Sequence, residues 1–240
     1  MEIRRFFTTA DKLENGKIVI DGDEFLHMTK VLRYKVGFKA TVCLNDGVER
    51  LCTIEQIGKD SALLNVDENI VQDAKHAKVT LFAGLLKNNK LDFAIQKAVE
   101  LGVDEIVPFT SRNCAETKFS KERANKIALE SAKQCGSAYL TKVADLKTFD
   151  EIKHDFCKYN QVLFAYENEK ENRIKDCAPY GDNVALVVGC EGGFTEDEVK
   201  DAVDCGARVI TLGKRILRAE TASIVASTML LDALGELDYE

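Results

Sequence analysis

Val184-Ala-Leu-Val-Val188-Gly-Cys-Glu-Gly-Gly193-Phe-Thr195-Glu-Asp-Glu198 and Arg208-Val-Ile-Thr-Leu212-Gly-Lys-Arg-Ile-Leu-Arg218-Ala-Glu-Thr-Ala222 decide the fold of this chain. Each begins with a short, β-branched apolar run that stops at glycine, the pattern of a buried parallel strand. Thr195 and Glu198 form a capping-box pair that opens a helix. In the second stretch Gly213 releases the chain into a loop with Lys214, Arg215, Arg218 and the carboxylate of Glu220, ahead of the last helix. Strand, glycine loop and helix N-terminus bring backbone N–H groups to the carboxyl ends of strands, where α/β proteins bind small polar ligands. Two such loops close in sequence predict one shared pocket. Ile216 and Leu217 among the charges suit a ligand with an apolar or aromatic part and charged ends.

Upstream, strands and helices alternate. Val79–Ala83 reads as a strand ending at Gly84. A helix is expected over Leu91–Leu101 with Gly102 as its stop, then a strand over Val103–Phe109. Further helices are predicted over Lys121–Cys135, capped by Ser120, and near Thr148–Tyr159, and Val162–Ala165 is another short strand. The alternation implies an α/β layer with parallel strands. The last helix, Thr221–Leu237, carries a stripe of Ala222, Val225, Ala226, Met229, Leu230, Ala233, Leu234 and Leu237, with Ile224 and Leu231 on a second face. It is expected to be buried on both, either as a core helix or at a subunit interface.

The N-terminal part reads differently. Ile18–Ile20, Ala40–Leu44, Arg50–Ile54 and Ser61–Val66 are strand-length runs, with a turn signal at Asn45-Asp-Gly47. One helix interrupts them, with Asp23 as its cap, Phe25, Met28 and Leu32 on one face, and Gly37 as its stop. Short strands with one helix suggest a small barrel. The polar stretch 69–78 marks the boundary, giving domains of 1–72 and 73–240. Arg4 and Arg5 precede Phe6 and Phe7, and His27, Lys30, Arg33 and Lys35 lie on or after the helix. Such cations and aromatics either hold RNA or form a solvated face.

Composition narrows the function. A formal charge of −7 over 240 residues argues against non-specific wrapping of nucleic acid but allows a local basic patch. No apolar run approaches the roughly 18 residues of a membrane span, and no signal peptide is expected at the start. The eight cysteines form no Cys-x-x-Cys pair, so they read as reduced thiols, mostly core filler, in a cytoplasmic protein. Three scattered histidines predict no metal centre. Phosphate-loop, Gly-x-Gly-x-x-Gly and Gly-x-Ser-x-Gly motifs are absent.

The paired motifs resemble those of the RsmE family of bacterial 16S ribosomal RNA uridine N3-methyltransferases, within the SPOUT class. Arg4-Arg-Phe-Phe7, His27 with Val31-Leu-Arg33 and Gly37, and Gln96-Lys-Ala-Val-Glu-Leu-Gly-Val103 with Pro108 match that family in the same order. The resemblance implies an α/β fold: a SPOUT-type parallel sheet with a C-terminal trefoil knot, preceded by a small PUA-like β-barrel that contacts RNA. It implies S-adenosylmethionine as methyl donor and a homodimer through the C-terminal helix. It further implies no metal, and 16S ribosomal RNA, free or within the small subunit, as partner. Carried over, Leu86, Gly189, Glu191, Gly193, Leu212, Gly213, Ile216, Leu217 and Ala222 would line the donor site. Arg218 would stabilise charge on the uracil carbonyls, with Glu220 or Glu191 taking the proton or orienting Arg218; an Arg218–Glu220 structural pair is the other reading. Arg4, Arg5, Arg33, Lys87 and Arg112 are candidates for phosphate contact. The sequence departs from the family at Cys190, where proline is usual, and at Lys133-Gln-Cys-Gly-Ser137, where Glu-Gln-x-Gly-Arg is usual. A SPOUT enzyme acting on another RNA base, and a non-catalytic RNA-binding assembly protein, are the competing readings.

Overall fold

The computed structural model describes residues 3–73 and 75–238. The chain divides into two compact units, Met1–Ala74 with Ala132–Leu140, and Lys75–Ser131 with Thr141–Glu240.

In the first unit, β1 (Arg5–Phe7), β2 (Leu13–Glu14), β3 (Lys17–Asp21), β4 (Lys39–Cys43), β5 (Val48–Ile57) and β6 (Ser61–Val71) form one sheet in the order β1-β4-β5-β6-β3-β2. Among the described residues of this sheet only β1 and β4 pair parallel. Side chains alternate across the strands, so Ile18, Ile20, Ala40, Val42, Ile54 and Leu64 fall in the core with Phe6. Among the described residues no ladder joins β1 to β2. The sheet ends in two very short edge strands, β1 and β2. The turn from β4 to β5 is the one read from Asn45-Asp-Gly47, with Asn45 at φ 61° and Gly47 at φ 76°.

The helix here departs from expectation. α1 (Gly22–Leu26) continues as a wider π-helical turn over His27–Val31. Asp21, not Asp23, occupies the cap position, and its side chain makes no capping bond. The helix stops before Gly37. Arg33 takes the left-handed conformation (φ 55°), and Tyr34 N–H donates to Met28 O at 3.0 Å, closing the helix four residues early. Residues 132–140 join this unit through bonds that local periodicity does not encode. The Gln72 amide donates to Gly136 O (3.1 Å) and accepts from Ala138 N–H (3.0 Å), and Asn45 Oδ1 accepts from Leu140 N–H (2.7 Å).

The second unit contains β7 (Lys78–Gly84), α2 (Lys90–Leu101), β8 (Glu105–Thr110), β9 (Lys142–Val143), β10 (Lys147–Thr148), α4 (Phe149–Asp155), β11 (Gln161–Ala165), β12 (Asn183–Val188), α5 (Glu196–Asp204), β13 (Ala207–Ile210) and α6 (Ala219–Ala233). The helix α3 (Lys121–Cys135) begins here, with Arg123 N–H donating to the predicted cap Ser120 at 3.3 Å. The sheet is wholly parallel, in the order β10-β8-β7-β12-β11-β13, with β9 also on β8. β12 lies inside, and Val184–Val188 are all buried, which explains the unbroken apolar run. On one face Phe82, Phe109, Phe164 and Val187 pack with Phe149, Ile152 and Ala202 of α4 and α5. α6 lies against β7, β12 and α2.

α6 starts and stops earlier than predicted. Gly235 (φ 78°) ends it, with Glu236 N–H donating to Leu231 O at 2.9 Å. The Glu236 carboxylate then accepts from His76 and Ala77 N–H at 2.6 and 2.8 Å. Its fully buried face is Ala219, Ser223, Ala226, Ser227, Leu230 and Leu231. Ala222, Ile224, Val225 and Met229 are only half-buried, and Ala233 is exposed. The buried face is thus rotated from the apolar stripe, because small serines tolerate close packing against the sheet. Ser223 Oγ donates back to Ala219 O at 3.0 Å, which satisfies its hydroxyl.

All eight cysteines are free thiols. Core filler describes only half of them. Cys43, Cys52, Cys177 and Cys190 are buried, whereas Cys135 and Cys157 are exposed. Burial pushes the Cys43 thiol up to about 11 and the Cys52 thiol up to about 12, so neither forms thiolate near neutral pH.

Candidate active site

The chain runs from β11 to β12 on one side, then crosses back through α5 to β13 on the other. Loops leaving these three strands diverge above their carboxyl ends, where open parallel sheets bind ligands. A cavity of about 460 Å³ lies there. Its walls are Ala165–Glu167 after β11, Val188–Phe194 after β12, and Thr211–Ala219 with Ala222 after β13. The two glycine-bounded loops therefore share one pocket, as their sequence grammar predicts.

The loop after β12 is fixed on several sides. Thr195 and Glu198 form the predicted capping box: Glu198 N–H donates to Thr195 Oγ1 at 3.3 Å, and Thr195 N–H to Glu198 Oε2 at 2.9 Å. The buried Glu198 also accepts Arg112 N–H at 2.8 Å, tying in the loop after β8. Asn113 Nδ2 donates to Gly192 O at 3.0 Å. Gly84, at the end of β7, lies directly under this loop. A Cβ there would meet backbone atoms, 2.7 Å from Gly189 C and 3.1 Å from Cys190 Cα.

Glu191 accepts from Lys90 Nζ at 3.0 Å and from Lys87 N–H at 3.2 Å. Burial pushes its carboxyl up, but Lys90 and these N–H donors outweigh that and hold it below the ordinary carboxylate range. An ionised, doubly engaged carboxylate is a tether for the loop and a weak base. Arg218 holds the N-cap position of α6, lines the cavity and is exposed. Among the described residues its guanidinium makes no hydrogen bond or ion pair with Glu220 or any other side chain. Glu220 is in the first turn of α6 but is not a wall of the cavity, and its Oε2 is buried with no partner among the described residues.

Gly189, Glu191, Gly193, Leu212, Gly213, Ile216, Leu217 and Ala222 all line the cavity. Leu86 does not; it is 3% exposed and belongs to the core. Ile216 is 86% exposed, which is unusual for so large an apolar side chain and suits a flap over a ligand. Lys90, Tyr166 and Glu167 are wall residues that no sequence motif marks. The available signal was position: Tyr166 and Glu167 follow a strand just as the two glycine loops do.

The five candidate phosphate contacts differ. Arg4, Arg33, Lys87 and Arg112 are exposed. Arg112 pairs with Asp197 at 2.9 Å, both widely open to water, so the pair is weak. Arg5 is committed elsewhere. Its side chain is 13% exposed, paired with Glu49 at 2.9 Å, and donates to Ser137 O at 3.0 Å. Ser137 stands where the family pattern has arginine, and the Arg5 guanidinium occupies that turn. Lys133, at the position usually glutamate, pairs with Glu24. Among the described residues no helix is long and apolar enough to cross a membrane, and no group of three or more His, Cys, Asp or Glu is placed to hold a metal ion.

Comparison with known proteins agrees with this geometry. The RNA methyltransferase domain model matches residues 73–231, and the RNA methyltransferase PUA domain model matches residues 20–67. Ribosomal RNA small subunit methyltransferase E of Bacillus subtilis is 32% identical, across 93% of this chain and 94% of its own length. The protein of the same name from Rickettsia conorii is also 32% identical, across 94% of each chain. Among solved structures, Ribosomal RNA small subunit methyltransferase E from Neisseria gonorrhoeae bound to S-adenosyl methionine superposes with a TM-score of 0.86. It is 26% identical, with 96% of this chain and 98% of that one covered.

Proposed function

The chain belongs to the RNA methyltransferase family, and on that premise we propose that it transfers a methyl group from S-adenosylmethionine to N3 of a uridine in 16S ribosomal RNA. The observation that carries this reading is the joining of the loops after β12 and β13 around one cavity, with an uncommitted Arg218 on its wall. The residues fit such a donor. The volume of about 460 Å³ lies in the range of small-ligand sites, roughly 300–1,000 Å³. Glycine-rich backbone offers N–H and C=O groups to a nucleoside, and Ile216 and Leu217 offer apolar cover.

When bound, the donor supplies an electrophilic methyl group on sulfur. The chain's own residues do the rest. The loops after β12 and β13 set the line of approach between acceptor nitrogen and methyl carbon. Uracil N3 carries a proton, and in a paired stem it would also be hydrogen-bonded, so the base must enter unpaired. Arg218 stabilises the negative charge that spreads onto the uracil carbonyls as N3–H is lost. Glu220 is the better candidate for proton acceptance or for orienting Arg218, because Glu191 is held ionised by Lys90. Arg4, Arg33 and Lys87 bind phosphate, giving an affinity that falls steeply with salt.

Two further features belong to this reading. The segment from β13 into α6 threads as a trefoil knot, an exception to the usual absence of threaded chains. A second copy of the chain covers the half-buried Ile224, Val225 and Met229 of α6. The deciding experiment is nucleoside mass spectrometry of unmodified 16S ribosomal RNA, free and in small subunits, after incubation with the protein and donor. N3-methyluridine is expected. A different methylated nucleoside would favour a relative with another target base, and no methylation of either substrate would favour a non-catalytic RNA-binding protein.

A further inference from the structure

We infer that Glu167 is the counter-ion for the positive sulfur of the methyl donor, so that the site distinguishes the donor from its spent, neutral product. This deepens the donor assignment above and rests on it.

Charge on the cavity walls is lopsided. Lys90, Lys214, Arg215 and Arg218 are cationic, and Glu167 and Glu191 are the carboxylates. Glu191 is already engaged by Lys90 at 3.0 Å. Glu167 makes no hydrogen bond or ion pair among the described residues. Its carboxylate overhangs the glycine loop. A Cβ on residue 193 would lie 2.5 Å from Glu167 Oε1 and 3.3 Å from its Cδ, and Gly193 has φ 63°. The side chain thus leans from the end of β11 across the crevice towards the loop after β12. Only a residue without a side chain at 193 lets it do so.

The cationic surplus suits the uracil carbonyls and phosphates of an RNA, but it opposes a donor with a sulfonium. The donor's α-ammonium and carboxylate balance each other within the ligand. Its sulfonium has no internal counter-ion, and this charge disappears when the methyl group leaves. The one uncommitted carboxylate on the wall supplies what the ligand lacks. Opposite charges a few ångströms apart in a partly solvated cleft attract measurably, which translates into a change of about tenfold in affinity. Glu167 therefore favours donor over product, and the contact lapses on turnover, aiding product release.

The test is calorimetric titration of the wild-type protein and of Glu167→Gln with S-adenosylmethionine, S-adenosylhomocysteine and sinefungin, which carries an amine-bearing carbon in place of the methylsulfonium. Thermal unfolding checks that the variant is folded. The expected result is a Kd raised about tenfold for S-adenosylmethionine and similarly for sinefungin, with S-adenosylhomocysteine within about twofold of wild type. Equal weakening of all three ligands would assign Glu167 to the ribose or amino group and overturn the inference, as would no weakening at all. A wild-type protein that binds none of the three overturns the donor assignment itself, a failure distinct from these.

Discussion

Arg218→Ala is expected to lower kcat/KM for methylation of 16S ribosomal RNA by about 10²–10³-fold while leaving S-adenosylmethionine affinity within about threefold of wild type. The magnitude is that of removing one preorganised donor from a site of developing negative charge. The split follows from geometry. Arg218 lies on the cavity wall, at the N-cap position of α6, with no ion pair among the described residues. Losing it leaves no buried partner stranded, so folding and the donor loops should be little affected. Arg218→Lys restores charge without the planar fork and should recover only part of the rate. Single-turnover methylation alongside calorimetric donor titration separates the two effects. Unchanged turnover in Arg218→Ala would remove this residue from the reaction. Loss of donor binding to the same degree as loss of rate would make it a cofactor ligand instead.

Gly84→Ala is expected to disable the site from below. The added methyl would be driven into the backbone of Gly189 and Cys190, which cannot rotate away as a side chain would. Either β7 or the loop after β12 must shift, and that loop is held by the Thr195–Glu198 capping box and by Asn113. Overpacking of this kind costs about 1–3 kcal/mol of stability. Because the displaced backbone forms a wall of the cavity, donor affinity should fall at least about tenfold. Thermal unfolding and donor titration of the variant check both. Wild-type donor affinity in a folded Gly84→Ala protein would mean that the backbone of Gly189 and Cys190 is not part of the donor site.

The strands of the second unit were legible because both faces of a parallel sheet are covered, which writes Val184–Val188 as an unbroken apolar run. The start of α5 was legible because a capping box is local: Thr195 and Glu198 are three residues apart and bond reciprocally. The shared pocket followed from two strand ends so close in sequence. Features that depend on distant partners were not legible. Arg5 reads as a free cation beside aromatics, yet its partners are Glu49 and Ser137, 44 and 132 residues away. The buried face of α6 is not legible because Ser223 and Ser227 look polar in sequence but are small enough to sit against the sheet. The early end of α1 is hidden because the left-handed capping residue is Arg33, where glycine is the usual signal. Glu167 belongs to no motif; only the fold carries it over Gly193.

Backbone hydrogen exchange with and without S-adenosylmethionine is the most direct probe of whether the loops after β12 and β13 act as one donor site. Residues 189–193 and 212–222 should gain protection together at saturating donor, while the sheet of the N-terminal unit stays unchanged. Donor binding that protects neither loop, or only one of them, would contradict a site built from both.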